Sequence, residues 1–134
     1  MIYTNKQFVR WDDIDAFGHV NNAKYLTFIQ EARFQWSFYE AKATDANATI
    51  VEMVVAQAEI NYLEPIYEGG RFYDVRLWVD SIGNSSFKMG YEVVGEDGTI
   101  HAKVSSVQVA VSMETKKSRP LTDAEREFLG KYTK

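Results

Sequence analysis

The fold is decided by residues 10–26, which read RWDDIDAFGHVNNAKYL. Before this segment, Tyr3 to Trp11 alternates loosely between apolar and polar residues, which predicts a first β-strand. After the acidic turn the period changes, and a helix of about five turns is predicted from about Asn22. Its apolar face recurs every three or four residues, at Tyr25, Phe28, Ile29, Ala32, Trp36 and Tyr39.

The predicted helix is unusually apolar. Phe34 and Phe38 widen its apolar face, so other structure should wrap it rather than leave it on a wet surface. Asn21 or Asn22 is the expected N-cap, because an Asn side chain can accept from an otherwise unpaired helical N–H. Residues 41–48 are small and polar and are predicted to form a loop.

The rest of the chain alternates in the manner of β-strands. Four runs are separated by glycine-rich or proline-containing turns: Val54 to Tyr62, Tyr73 to Val79, Phe87 to Val93 and Ile100 to Val111. In the first run the even-numbered residues from Val54 to Tyr62 form the apolar side, which is expected to face inward. In the last run the apolar positions change from even to odd numbers, which predicts a bulge near Ser105–Ser106. A short C-terminal helix is predicted from Thr122, since Glu125 three residues on completes a capping box.

This order of elements predicts an α+β fold in which one long central helix is wrapped by a five-stranded antiparallel sheet. Strands of about ten residues span roughly 33 Å, long enough for a sheet to curl around a helix. The length of 134 residues fits a single domain, residues 1–134.

Composition excludes several classes of function. The net charge is −4 and the cations are dispersed, so neither nucleic acid nor a membrane surface is an expected partner. No apolar run resembles a signal peptide or a membrane span. The chain has no cysteine, which suits a reducing compartment, and the expected location is cytoplasmic.

Motifs exclude further chemistry. The chain contains no G-x-S-x-G nucleophile elbow, no P-loop and no G-x-G-x-x-G fingerprint. Its two histidines, His19 and His101, show no metal-ligand spacing.

The acidic turn is the place where chemistry is expected. Asp12, Asp13 and Asp15 come just before the start of the long helix. Unpaired N–H groups at a helix start can stabilise an oxyanion, and the helix dipole favours negative charge there. A nearby carboxylate can attack a carbonyl or activate water.

The same residues resemble the opening motif of the 4-hydroxybenzoyl-CoA thioesterase-like hotdog proteins, which is R-x-x-D-x-D-x-x-G-H-V-N-N-x-x-Y. Residues 10–25 match it position by position. Residues 31–33, EAR, 60–66, INYLEPI, and 82–87, IGNSSF, also fit. The resemblance extends over nearly the whole chain, as far as Leu121.

This resemblance implies a hotdog fold and hydrolysis of an acyl-CoA without a metal or redox cofactor. Asp15, the second aspartate of D-x-D, would be the nucleophile or general base, and the backbone N–H of Asn21 or Asn22 would polarise the thioester carbonyl. Such domains pair into dimers, often assembled into tetramers, with the active site between subunits.

Further substrate contacts are expected around this turn, at Asp13, Gly18, His19 and Tyr25, although Asp13 favours a structural role and Tyr25 lies on the predicted core face. Ser86 and Lys88, at the start of a later strand, are candidates for the CoA phosphates. A strand end with a surface lysine is, however, the commoner explanation for these residues.

Three alternative functions compete with acyl-CoA hydrolysis. A hotdog domain that binds acyl-CoA without cleaving it would not need Asp15. A hotdog hydratase would need D-x-x-x-x-H, whereas His19 lies four residues after Asp15 and six after Asp13. A thioesterase for acyl-carrier proteins would favour a basic surface, which the net charge of −4 does not indicate.

Overall fold

The computed structural model describes residues 1–134 and contains one antiparallel sheet of five strands. The strands are β1 (Tyr3–Val9), β2 (Met53–Tyr62), β3 (Arg71–Ile82), β4 (Ser86–Val94) and β5 (Ile100–Ala110). Their order in the sheet is β1-β3-β4-β5-β2, so β1 and β2 are the two edges. The first strand ends before the predicted Trp11, because Trp11–Asp13 forms a 3-10 turn.

A central helix, α1, runs through residues 24–44. It consists of an α-helical part (Lys24–Phe34), a π-helical turn (Gln35–Glu40) and a last α-helical turn (Ala41–Thr44). The predicted loop over residues 41–48 is therefore wrong, since a further 3-10 turn follows at Ala46–Ala48. Alanine is the strongest helix former, and its small side chain is no sign of a loop.

The π-helical turn changes which residues of α1 meet the core. Five of the six residues predicted for its inner face are buried, but Tyr39 is 55% exposed. A π turn holds more residues than an α turn and so rotates the face that follows it. Ser37, within the turn, and Ala41, directly after it, are buried instead.

The predicted bulge at Ser105–Ser106 is also wrong. The even-numbered residues of β5 face inward from Ala102 to Ala110, and Ser106 and Gln108 are polar members of that buried row. The irregularity lies on the neighbouring strand, where the pairing of β2 with β5 shifts between Val55 and Gln57. Two buried polar residues had hidden the regular alternation of β5.

This shift also corrects the predicted inner face of β2. Val54 pairs with Val109 of the outward row, whereas Val55 pairs with the buried Gln108. Beyond the extra residue, Ala56, the even-numbered residues face inward as predicted. The apolar side of β2 is thus odd-numbered at its start and even-numbered at its end.

The C-terminal helix α2 (Asp123–Lys131) begins with the predicted capping box. The Thr122 side chain accepts from the Glu125 N–H at 3.1 Å, and the Glu125 carboxylate accepts from the Thr122 N–H at 2.8 Å. The rings of Phe128 and Tyr132 lie 5.1 and 5.5 Å from that of Trp36, which joins α2 to α1. No helix is both long and apolar enough to traverse a lipid bilayer.

Candidate active site

The acidic turn is a tight hairpin held by backbone hydrogen bonds. Ile14 and Val20 form an antiparallel bridge, and the Asp15 N–H donates to the His19 carbonyl at 3.0 Å. The Gly18 N–H donates back to the Asp15 carbonyl at 3.0 Å. Gly18 has φ of +83°, in the left-handed region that other residues resist. Its role in the structure is thus to close the turn around Asp15.

The Asp15 side chain is half-buried and only partly engaged. Its Oδ1 atom accepts from the Phe17 N–H at 2.9 Å, which is an Asx-type turn. Its Oδ2 atom has no hydrogen-bond partner within the chain. One carboxylate oxygen therefore fixes the side chain while the other stays available.

Asp13 is buried, with 4% exposure, and its carboxylate is fully occupied. It accepts from the Arg10 N–H at 2.9 Å and from the Arg10 guanidinium at 3.3 Å, and the Lys24 ammonium lies 3.8 Å away. Its carbonyl also accepts from the Asn21 N–H at 3.0 Å. These contacts favour the structural role of Asp13 in tying both ends of the turn to the start of α1.

The two asparagines before α1 differ in whether their backbone N–H is hydrogen-bonded. The Asn21 N–H is bonded to Asp13, and the Asn21 side chain accepts from the Ala23 N–H at 2.9 Å. The helix begins at Lys24 and its side-chain N-cap is not Asn22, so that part of the prediction is wrong. The Asn22 N–H is exposed and makes no hydrogen bond within the chain. Of the two predicted oxyanion donors, only Asn22 remains.

A small cavity of about 220 Å³ opens beside this amide. It is lined by His19, Val20, Asn22, Tyr25, Tyr62, Leu63, Glu64 and Pro65. Asp15 lies in the same turn as His19 and Val20, but it does not line the cavity.

Two predicted contacts, Tyr25 and His19, meet at this cavity. Tyr25 is 3% exposed, and burial raises its pKa to about 12, so its hydroxyl is neutral. The Nδ1 atom of His19 donates to the Val20 carbonyl at 3.2 Å. The Tyr62 hydroxyl donates to the Asn22 carbonyl at 3.0 Å and holds the helix start against the end of β2.

Ser86 and Lys88 lie elsewhere in the chain. Ser86 pairs with Val109 at one end of β5, whereas Tyr62, beside the turn, pairs with Ala102 at the other end. Seven residues of strand separate these positions, or roughly 23 Å. Within one copy, the two residues are not brought together with Asp15.

The largest cavity, about 540 Å³, lies at that distant end, between α1 and the start of β2. It is lined in part by Arg33 and Ser37, two buried polar residues. Neither was a predicted site residue. The sequence signals were the place of Arg33 in the EAR segment, residues 31–33, and the polarity of both residues on an apolar helix face. Neither signal by itself distinguishes a site from a polar contact in the core.

A central helix wrapped by an antiparallel sheet, with an acidic turn at the helix start, defines a hotdog-fold enzyme. Residues 9–129 match the model of the thioesterase-like superfamily. The chain therefore belongs to this superfamily, as its resemblance to the 4-hydroxybenzoyl-CoA thioesterase-like proteins predicted, and it is a thioester hydrolase.

Relatives with named activities agree with this assignment. The 1,4-dihydroxy-2-naphthoyl-CoA hydrolase of Rippkaea orientalis is 27% identical over 90% of this chain and 90% of its own length. The long-chain acyl-CoA thioesterase FadM of Escherichia coli is 26% identical over 94% and 96%. A thioesterase from Thermus thermophilus, solved with coenzyme A and zinc, is 29% identical, covers 96% of this chain and 92% of its own, and has a TM-score of 0.79.

Proposed function

We propose that the protein hydrolyses an acyl-CoA to a free acid and CoA, with Asp15 as the catalytic carboxylate. The observation that carries the proposal is the half-engaged Asp15 side chain, whose Oδ2 atom is free at the turn that leads into α1. The relatives support CoA as the thiol, since two are named for CoA thioesters and the Thermus thermophilus enzyme was solved with CoA.

The Asn22 N–H is the proposed oxyanion donor. It is exposed, has no partner in the chain and lies at the start of α1, where the helix dipole favours negative charge. A thioester oxygen gains charge as the carbonyl carbon becomes tetrahedral, so a fixed donor stabilises the transition state more than the substrate.

Two routes are compatible with this arrangement. In the first, Asp15 Oδ2 attacks the carbonyl carbon, the C–S bond breaks, CoA leaves as a thiolate that takes a proton, and water cleaves the mixed anhydride. In the second, Asp15 accepts a proton from the water molecule that attacks the carbonyl, and that proton leaves with CoA. Both routes consume one water and return Asp15 to its starting state.

We further propose that two copies pair through β2. This edge strand exposes inward-facing apolar side chains, with Val55 and Tyr62 at 48% and 50% exposure. A long apolar strand at an open edge is prone to pair with another chain. Two identical strands related by a two-fold axis pair antiparallel.

Such pairing completes the proposed active site. The start of one β2 would lie next to the end of the partner's β2, about 4.8 Å away. The large cavity at the start of β2 in one copy would then adjoin the small cavity, Asn22 and Asp15 of the other. Ser86 and Lys88 of the first copy would lie at the same end, which supports their proposed contact with CoA.

The experiment compares CoA release from short, long, branched and aromatic acyl-CoAs by the wild type and by Asp15→Asn. The variant should lose on the order of 10²-fold to 10⁴-fold in kcat, because it removes the base or nucleophile. Asp12→Asn is the matched control. The Asp12 side chain is 88% exposed, and its only ion pair is a 3.9 Å contact with Arg10. The activity of this variant should therefore be close to that of the wild type.

Full turnover by Asp15→Asn would refute both routes. If the wild type bound an acyl-CoA yet released no CoA from any member of the panel, a binding protein would replace the enzyme as the best interpretation. Hydrolysis of acyl-carrier-protein thioesters alone would instead replace CoA as the leaving group.

A further inference from the structure

The cavity at the start of β2 is lined by both apolar and polar side chains. Its apolar lining includes Phe34, Ile50 and Val55. Its polar lining consists of Gln30, Glu31, Arg33 and Ser37, of which only Arg33 and Ser37 are buried. A volume of about 540 Å³ is enough for a small organic group. Since Arg33 and Ser37 lie on the buried face of α1, the cavity combines apolar side chains with buried hydrogen-bonding groups.

Arg33 is a buried cation without an anionic partner. It is 9% exposed, and its single hydrogen bond within the chain runs from Nη1 to the Tyr91 hydroxyl at 3.2 Å. No carboxylate of the chain lies within 4.0 Å of the guanidinium, including that of Glu31, which lines the same cavity. A buried charge is costly unless an opposite charge compensates it.

Ser37 is the second polar group without a partner. It is fully buried within the π-helical turn, lines the cavity, and its Oγ atom has no hydrogen bond. A π turn inside an α-helix is a feature that recurs at functional sites. Arg33, four residues before Ser37, lines the same cavity. Ser37 therefore adds a free hydroxyl to a cavity that already contains the guanidinium.

The groups beneath Arg33 are already engaged with one another. The Tyr91 hydroxyl lies 2.7 Å from the Ser106 hydroxyl, and the Gln108 amide donates to the same hydroxyl. This network fixes Tyr91, which in turn fixes one side of the guanidinium. The network contains no carboxylate, so it does not neutralise the positive charge of Arg33.

We propose that this cavity binds a carboxylate at the far end of the substrate's acyl group, so that the enzyme prefers thioesters of dicarboxylic acids. The inference rests on the proposed acyl-CoA hydrolysis and on the pairing through β2. The planar guanidinium fork matches the two oxygens of a carboxylate, and the Ser37 hydroxyl can donate to one of them. The methylene groups of the acyl chain would pack against Phe34 and Val55.

The test uses thioesters matched in carbon number: adipoyl-CoA with hexanoyl-CoA, and glutaryl-CoA with pentanoyl-CoA. The wild type should show a kcat/KM at least about 10-fold higher for each dicarboxylic member, which corresponds to one charge-assisted hydrogen-bonded pair. Arg33→Met should abolish this preference. Arg76→Met, on the outer face of β3, is the matched control and should keep it.

Ser37→Ala provides a second variant that removes only the hydroxyl and so cannot fail through lost packing. It should lower the preference for adipoyl-CoA about 3-fold to 10-fold, the effect of one hydrogen bond to a charged group. If Arg33→Met and Ser37→Ala lowered both members of each pair equally, or if the wild type showed no preference, the inference would be overturned.

Calorimetric binding of free adipate and hexanoate separates this inference from the proposed function. If no thioester were hydrolysed but adipate bound better than hexanoate and lost that advantage in Arg33→Met, the hydrolysis proposal would fail and the carboxylate site would stand. If thioesters were hydrolysed but adipate bound no better than hexanoate, the reverse would hold. Weakened self-association in Arg33→Met, without any change in preference, would assign Arg33 to the contact between copies and overturn the site.

Discussion

At the scale of single residues, the two aspartates Asp13 and Asp15 of the acidic turn differ in how many contacts their carboxylates make. Asp13 is buried and holds Arg10, Lys24 and the amide of Asn21. Asp15, two residues later, keeps one carboxylate oxygen free. The order D-x-D thus places a structural carboxylate and the proposed catalytic one on the same short hairpin.

Asn22→Pro tests the proposed oxyanion donor directly, because proline has no backbone N–H. The Asn22 N–H bonds to nothing in the chain, so the substitution removes no internal hydrogen bond. The expected loss is about 10²-fold to 10³-fold in kcat, with a smaller change in KM. Asn22→Ala keeps the N–H and should retain most of the activity; equal losses in both variants, at unchanged circular dichroism, would contradict the assignment.

A second residue-scale prediction concerns Glu125, a buried residue in the first turn of α2, which is bonded to Arg119 at 2.9 and 3.0 Å. Burial alone would raise the pKa of its carboxyl, but the hydrogen bonds from Arg119 and Thr122 outweigh burial and hold the pKa below its ordinary value of 4.5. A lowered pKa stabilises the folded state above about pH 4.5, and that contribution is lost as the pH falls through the folded-state pKa.

Glu125→Gln should therefore lower the free energy of unfolding at pH 7 by about 1–3 kcal/mol, because it leaves Arg119 without its carboxylate. Urea denaturation at pH 7 and at pH 3.5 measures this. The difference from wild type should shrink at the lower pH, because pH 3.5 lies below the ordinary pKa of 4.5 and the stabilisation from the lowered pKa declines there. An equal difference at both values of pH would show that charge is not the cause.

At the scale of elements, α2 is attached to the rest of the molecule by an aromatic cluster. Phe128 is 1% exposed, and its ring lies 5.1 Å from those of Trp36 and Tyr132. Phe128→Ala should lower the free energy of unfolding by about 3–5 kcal/mol, as other buried Phe→Ala changes do. Phe17→Ala, at a ring that is 84% exposed, is the control for thermal denaturation and should change stability little.

The elements that sequence alone predicted well are those with local signals. The capping box of α2 lies within four residues, and the alternation of β3 and β4 is regular. The end of α1 was missed because the π turn and the helix beyond it depend on what packs against them. The inward face of β5 was misassigned because Ser106 and Gln108 are buried in a network with Tyr91, a contact between distant residues.

The same distinction between local signals and contacts of distant residues applies to the candidate site. Asp15 and the start of α1 are adjacent in sequence, so a motif was enough to find them. The choice between Asn21 and Asn22 required the hydrogen bond from Asn21 to Asp13. Arg33 and Ser37 became candidates only once their burial and their missing partners were known.

At the scale of the whole molecule, the two edges of the sheet differ. β1 carries Lys6, paired with Asp74, on its outward row, whereas β2 exposes apolar side chains inward. The proposed pairing of copies uses the second edge. It also makes the activity depend on assembly, since each site would draw residues from both copies.

Ala58→Glu tests this pairing. Ala58 is an exposed, inward-facing residue near the middle of β2, where two like charges would meet across the two-fold axis. The variant should be a folded monomer by light scattering after size-exclusion chromatography, with activity reduced in parallel. Thr4→Glu adds the same charge on β1 and should stay paired and active. A monomeric wild type with full activity would contradict the pairing.

Because β2 contains one extra residue, Ala56, the protein should tolerate a deletion at this position less well than a substitution. Met53 and Val55 face inward only because Ala56 interrupts the alternation that Ala58, Ile60 and Tyr62 continue. Deleting Ala56 would rotate the first part of the strand by half a turn, placing Val54 at the cavity and Val55 in solvent. The deletion would turn Met53 and Val55, which line the large cavity, away from it, and so should alter one side of the proposed acyl pocket. Length at this position is therefore expected to be under tighter constraint than the identity of the alanine itself.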